Sequence, residues 1–441
     1  MQSAIFVIIV SSTAIACTES TTFDSEQRAL LEGYRLPSAP PPDPTNVAAD
    51  NLRAATLGKQ LFFDPRFSGP LGPENDAVSN GSLGVSGTSG KVSCASCHQL
   101  ELGGSDHRSR PAATSFGAGY TGRNSPSVVD AAYADIARGG WQFWDGRKDS
   151  LWSHVLEPLE NPVEQNSTRL QVAHVLFEHY RSQYEALFGS LPDLANTARF
   201  PLNGKPGQPS YDGMTSADRT AIDRVVVNFG KAIEAYERRL VSTNFAPSPF
   251  DQMLAGDDTA MTPAAIRGAR LFIGKAACNE CHRGSAFSDG KFHNIGCPQE
   301  GDHADTTDKG RYLGIAGVKA DPFNRAGAFS DQPDDSHLRA LTAGQLDIGA
   351  FKTPTLRNVA KTAPYMHDGV YGTLWDVVNH YNFGGATGAY SGTREVTIEP
   401  LLLDSREDDD IVEFLRSLSD GDPLSTTDFP EGLTAQPILP N

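Results

Sequence analysis

Apolar side chains at Ile222, Val225, Val226, Phe229, Ile233, Tyr236 and Leu240 recur at steps of three and four, drawing one stripe along a helix that begins near Ser216. Such a stripe predicts core packing and carries no chemistry of its own. A second pattern closes the chain. Ser405 is placed to cap a helix, Glu407 to Asp410 give it an acidic first turn, and Ile411, Val412, Phe414, Leu415 and Leu418 give it an apolar face. The acidic run reads as a solvated helix start, and the helix as an element closing over a domain. No segment alternates with the two-residue period of a strand. Two stretches, Leu191 to Tyr211 and Gly296 to Gly349, are rich in Gly, Pro and Asp and read as connections. The expected fold class is all-α with long irregular loops.

The N-terminus follows a different pattern. Ala4 to Val10 form an apolar run too short to span a bilayer, followed by small residues and Cys17, as in a secretory signal peptide over residues 1–17. Thr13-Ala14-Ile15-Ala16 is a loose version of a lipoprotein processing site, which makes Cys17 a candidate lipid anchor. A periplasmic location is expected.

Four of the six cysteines stand in two Cys-x-x-Cys-His runs, Cys94-Ala95-Ser96-Cys97-His98 and Cys278-Asn279-Glu280-Cys281-His282. The spacing lets two thiols add to the two vinyl groups of one haem while the next histidine ligates its iron. A zinc site needs four ligands, and each run supplies three at most. Two covalently bound haem c groups are therefore expected. Gly58-x-x-Leu61-Phe62 precedes the first run and Gly268-x-x-Leu271-Phe272 the second, which argues for an internal repeat, with Ser68 to Gly90 inserted as a loop in the first copy. The expected organisation is two cytochrome c-like haem domains, residues 46–245 and 246–441, joined near Asn244 to Asp258. Cys297 has no obvious partner and reads as a small buried apolar side chain. A net charge of −17 over 441 residues makes nucleic acid an unlikely partner and gives the chain an acidic exterior.

Further runs make a resemblance specific. They are Arg123-Asn124-Ser125-Pro126, Gln142-Phe143-Trp144-Asp145-Gly146-Arg147, Pro158 to Glu164, Phe292-His293-Asn294-Ile295-Gly296, Phe351 to Asn358 and Ala363-Pro364-Tyr365-Met366-His367-Asp368-Gly369. From about Leu57 to Leu418 the chain resembles the bacterial di-haem cytochrome c peroxidase family, and within it the MauG-type enzymes. The resemblance implies that Glu164 moves a proton between the oxygens of hydrogen peroxide bound at the first haem, with Pro158 lining the distal pocket. Many members place a histidine on the first iron from the segment before the Arg-Asn pair. Here Ala112 to Gly122 contains none, so that iron is expected to be open at rest; His107 is the nearest alternative ligand. His154 stands where MauG-type proteins carry a distal glutamine, and facing the haem it would add a group titrating near neutrality.

For the second haem the resemblance points to Tyr381, in His380-Tyr381-Asn382-Phe383-Gly384-Gly385, as the ligand opposite His282, with Met366 the rival by chemistry. Trp144 matches the tryptophan that relays electrons between the haems. A calcium ion is implied between the domains, held by the Asn124 side chain and the carbonyls of Thr362 and Pro364, an oxygen set that suits this ion. The implied activity is reduction of hydrogen peroxide at the N-terminal haem with electrons relayed from the C-terminal haem, fed by a small cytochrome c or cupredoxin. One alternative is a MauG-like enzyme oxidising tryptophan or tyrosine in a partner protein. MauG presents a tryptophan just before its second haem run, where this chain has Ala276. Another is a non-catalytic di-haem electron carrier, which requires two closed irons.

Overall fold

The computed structural model describes residues 22–108, 114–133 and 140–420. The expected signal segment with Cys17 lies outside them, as do the first two residues of the stretch Ala112 to Gly122. Six helices position the site: α1 (Leu52–Phe63), α2 (Ser216–Glu237), α3 (Pro263–Ile273), α4 (Arg311–Ala320), α5 (Leu374–Asn382) and α6 (Ser405–Ser417).

The apolar stripe becomes α2, started by Thr215, whose side chain accepts a hydrogen bond from the Asp218 amide. Ile222, Phe229, Ile233 and Tyr236 are buried along it. Helix α1 crosses α2, and α3 crosses α6, in two matching pairs. A Cβ on Gly58 would stand 1.8 Å from the Ala232 carbonyl oxygen, and one on Gly268 would stand 1.8 Å from that of Asp410. Only glycine permits either crossing. The repeated Gly-x-x-Leu-Phe segment is thus a helix-crossing device, with the glycine at the contact and Phe62 or Phe272 buried beside it.

Two large hydrophobic cores result, beside two smaller clusters among the described residues. The first gathers Leu57, Phe62, Trp152, Phe229 and Tyr236; the second gathers Phe250, Ile266, Phe272, Phe287 and Phe414. In the second, Phe272 meets Phe414 at 5.1 Å and Phe250 meets Phe287 at 5.4 Å, both edge to face. The cores exchange chain across residue 245: Phe323 and Phe329 enter the first, whereas Phe23, Leu31 and Tyr34 enter the second.

Several local expectations are corrected. Asp404, one residue before Ser405, caps α6 by accepting from the Arg406 and Glu407 amides. The acidic run is not simply solvated, because Asp408 and Asp410 are buried. Asp408 accepts from Asn382 of α5 at 3.1 Å, and Asp410 takes two bonds from Arg267 of α3 at 2.7 and 2.6 Å. The stretch Gly296 to Gly349 is more than a connection, since it contains α4, whose Ile315 and Val318 are buried. The expected junction contains a helix, Pro249–Leu254, that feeds Phe250 into the second core. Among the described residues one antiparallel strand pair exists, β1 (Phe292–His293) with β2 (Phe351–Lys352), and at two residues each its strands are too short to alternate. Among the described residues no helix is long and apolar enough to cross a membrane.

Candidate functional site

Cys94–Cys97 forms a single helical turn, and Cys278–Glu280 a 3-10 turn. The histidine after each run is held in the same way. His98 donates its Nδ1 hydrogen to the Gly104 carbonyl at 3.1 Å, and His282 donates to that of Phe287 at 2.9 Å. Each bond fixes the tautomer and leaves Nε2 free to ligate. Burial lowers the pKa of both imidazoles, which keeps them in the neutral, ligating form. Burial also pushes the thiols of Cys94, Cys97 and Cys278 up to about 12.

The second run opens on a cavity of 810 Å³ lined by Cys278, Cys281, His282, Tyr381, Met366, Trp144 and Lys352, among others. Lys352 makes no side-chain hydrogen bond among the described residues, and burial pushes its ammonium down to about 8. Two thiols, a neutral imidazole, a large cavity and an unpartnered cation suited to a propionate fit a covalent haem. Both candidate sixth ligands reach this cavity. Tyr381 lies on α5, where burial raises its phenol far above the usual value, the Cys278 and Cys297 thiols adding to the effect. Met366 enters from a loop with φ +71°.

Glu164 belongs to the first run. Its Oε1 accepts from Asn161 Nδ2 at 2.6 Å, and its charge acts on both Cys94 and Cys97. Burial pushes its carboxyl up to about 7 against the opposing pull of Arg147. The backbone around it is pinned: the Ala118 and Gly119 amides donate to the Glu164 and Val163 carbonyls at 2.7 and 2.9 Å, and the Gln165 amide donates to that of Pro158 at 3.0 Å. The segment that lacks a histidine therefore packs along the loop that carries the carboxylate.

His154 donates Nδ1–H to the Leu151 carbonyl at 2.7 Å, and its ring meets Phe143 edge to face at 5.6 Å. Burial pushes it down to about 4, so the expectation of a histidine titrating near neutrality is corrected. Of the two, Glu164 is the one that burial brings to about 7. The Nε2 of His107 is taken by the Lys361 carbonyl at 2.6 Å, which removes it as the alternative iron ligand.

Trp144 donates Nε1–H to the Asn124 carbonyl at 2.8 Å. Asn124 in turn donates Nδ2–H to the Pro364 carbonyl at 2.9 Å, and Thr362 lines the same cavity. Two of the expected calcium ligands, Asn124 and Pro364, are thus in contact, with the amide nitrogen facing Pro364. Exchanging the amide's oxygen and nitrogen would give the oxygen pair that calcium takes.

Some contacts escaped the sequence reading. Gln165 reaches the Cys94 sulfur at 3.6 Å, and Arg108 the Cys97 sulfur at 3.3 Å. Arg147 lies over the Phe143 ring at 3.7 Å and pairs with Glu157 at 2.7 Å. Glu237 is buried on α2, with an effect on Cys94. Position within the quoted runs could have flagged Arg147, and adjacency to Glu164 could have flagged Gln165. Nothing in the sequence flags Glu237.

The model of a family described as di-haem cytochrome c peroxidase matches residues 53–259. Cytochrome-c peroxidase IdrP1 of Denitromonas iodatirespirans is 31% identical over 407 residues, covering 88% of this chain and 88% of that protein. The chain belongs to the di-haem cytochrome c peroxidase family. Family membership implies two c-type haems and an oxidoreductase. Within the family it is also similar to the methylamine utilization protein MauG of Methylorubrum extorquens, 30% identical over 402 residues and covering 90% of this chain and 88% of that one. The diheme peroxidase BthA of Burkholderia thailandensis shares the fold, with a TM-score of 0.60 at 22% identity over 90% of this chain and 91% of that one.

Proposed function

We propose that this member of the family is an exported peroxidase. It reduces hydrogen peroxide at the haem carried by Cys94, Cys97 and His98, with electrons passed through the haem carried by Cys278, Cys281 and His282 from a small cytochrome c or cupredoxin. The observation that carries this reading is Glu164, a carboxyl anchored by Asn161, felt by both cysteines of the first run, and raised by burial to about 7. When bound, the first haem supplies an iron with an open face for peroxide, and the second supplies a store of electrons. Glu164 takes the proton from the near oxygen of peroxide and delivers it to the far one. A pKa near neutrality makes both directions cheap. Two electrons and two protons convert each peroxide into two waters.

The other residues position and screen. His154, neutral and with its Nδ1 hydrogen committed to Leu151, offers Nε2 as an acceptor. Pro158 lines the pocket without an amide hydrogen to compete for peroxide. Tyr381 and Trp144 line the same cavity; Tyr381 would hold the second haem together with His282, and Trp144 would relay electrons between the two sites. Asn124, Thr362 and Pro364 would hold a calcium ion that ties the segments on which these groups stand.

A MauG-like oxidation of tryptophan or tyrosine in a partner protein is the second reading. Ala276 speaks against it: the side chain is 5% exposed and puts no aromatic ring at the position before the second run. The electron-carrier reading gives Glu164 no task. Glu164→Gln should slow reaction with peroxide by roughly 10²–10⁴-fold in stopped-flow mixing while both haem spectra stay near wild type. A variant that reacts as fast as wild type removes the glutamate from the mechanism and, with it, the support for peroxidase over carrier.

A further inference from the structure

Cys297, His367 and Asp368 form a buried cluster at the wall of the second cavity, outside the haem ligands and the oxygen set assigned to calcium. Their ligand atoms lie within 4.8 Å of one another, and the residues are 6%, 3% and 1% exposed. We propose that these three side chains bind one zinc ion, with the fourth coordination position supplied by water.

Four observations carry the assignment. The first is unmet polar demand. The Asp368 carboxylate, which is not among the groups lining the haem cavity, receives long bonds from the Glu300 and Val370 amides at 3.3 and 3.4 Å, and the Cys297 sulfur meets the Pro298 carbonyl at 3.7 Å. Buried polar groups are rarely left so poorly paired. The second is charge. A thiolate and a carboxylate together cancel a divalent cation, so the filled site carries no net charge into the interior. Loading releases the thiol and carboxyl protons.

The third is the donor set. One sulfur, one nitrogen and one oxygen suit zinc, whereas calcium takes oxygen alone. Zinc–ligand distances of about 2.0–2.3 Å hold the donors roughly 3.3–3.8 Å apart, so at the 4.8 Å limit the cluster closes by about 1 Å on filling. The fourth is preorganisation. The His367 ring stacks on Phe351 of β2 at 3.7 Å, with the Arg123 guanidinium 5.5 Å from the same Phe351 ring. The His367 carbonyl accepts the Asn124 amide at 2.7 Å, and Cys297 follows Gly296, whose φ of +65° turns the chain out of the β1 segment. The ion would join the segment after β1 to the loop that carries Met366, both of which line the cavity beside Tyr381.

The test uses the haem-loaded protein, equilibrated with zinc and washed with a chelator-containing buffer. Elemental analysis should find one zinc for every two haem irons, and absorption at the zinc K-edge should find one sulfur at about 2.3 Å. Cys297→Ser and Asp368→Asn should each lose the zinc by tenfold or more in occupancy while keeping both haems, and Asn124→Ala should keep it. Absence of zinc from the wild type overturns the assignment. So does zinc retained by Cys297→Ser or a wild-type spectrum without sulfur. If Cys297→Ser fails to fold, the wild-type edge spectrum and Asp368→Asn still decide.

Discussion

Gly268→Ala isolates the helix crossing that supports the second haem run. The added Cβ would stand 1.8 Å from the Asp410 carbonyl oxygen and 2.9 Å from the Phe414 Cβ. Restoring an ordinary contact of 3.4 Å requires α3 and α6 to part by about 1.6 Å, the difference 3.4 − 1.8. Because the obstacle is backbone, no rotamer change relieves it, and the cost falls at the upper end of the ~1–3 kcal/mol typical of overpacking. Alanine returns up to ~1 kcal/mol of helix propensity, leaving a net loss of about 2 kcal/mol. For a unit of this size that lowers the melting temperature by roughly 4–8 °C. Calorimetry of the haem-loaded protein reads the shift directly. Gly388→Ala is the control, since nothing lies within 4 Å of its Cβ position, and it should stay within about 0.5 kcal/mol of wild type. Gly58→Ala should reproduce the loss in the first core. If Gly268→Ala melts at or above the wild-type temperature, the crossing does not need glycine and the account of the repeated segment is wrong.

Intact mass of the exported, denatured protein should show two haem additions, and haem extractable by acid acetone would contradict covalent attachment. Tyr381→Phe should convert the low-spin ferric signal of the second haem in electron paramagnetic resonance while Met366→Leu leaves it unchanged; the reverse outcome makes Met366 the ligand. Glu237 is 2% exposed, its Oε2 has no hydrogen-bond partner, and burial raises its carboxyl from 4.5 to about 8. The folded chain therefore binds a proton that the unfolded chain releases across that window. Its stabilising contribution is fully present below pH 4.5 and is lost as pH rises through about 8. Urea unfolding at several pH values should show wild-type stability falling across this window with a slope approaching ~1.4 kcal/mol for each step of one in pH, several kcal/mol in all, and Glu237→Gln should flatten the decline. An equal slope in the two proteins would relieve Glu237 of that role.

The haem runs were legible because their chemistry is local: two thiols and an imidazole within five residues leave few other uses. Helix α2 was legible because its periodic apolar face is buried as the pattern demands. The cap of α6 slipped by one residue because Asp404 and Ser405 are both competent caps, and the carboxylate gains more from the helix dipole. Asp408 and Asp410 were misread because their partners, Asn382 and Arg267, are distant in sequence, and a charge run alone does not reveal which members face inward. Helix α4 was hidden by Gly314 and Gly317, which lower local propensity while burial of Ile315 and Val318 restores the helix. The His154 expectation failed for a related reason. Its titration depends on how completely neighbouring elements exclude water, a property no local pattern encodes.

The matched bonds from His98 to Gly104 and from His282 to Phe287 bear on how the two haems divide their labour. A peptide carbonyl draws less on the Nδ1 hydrogen than a carboxylate would, so neither imidazole gains imidazolate character, and each iron receives nearly equal electron donation from below. In this bond to a peptide carbonyl the two proximal imidazoles are alike. The proximal bonds therefore give no reason for the two potentials to differ, whereas the proposed opposite faces, a titratable carboxyl on one and a buried phenol on the other, give one. Substitutions confined to those faces should exchange the centres' redox order, whereas swapping the proximal segments should leave it unchanged.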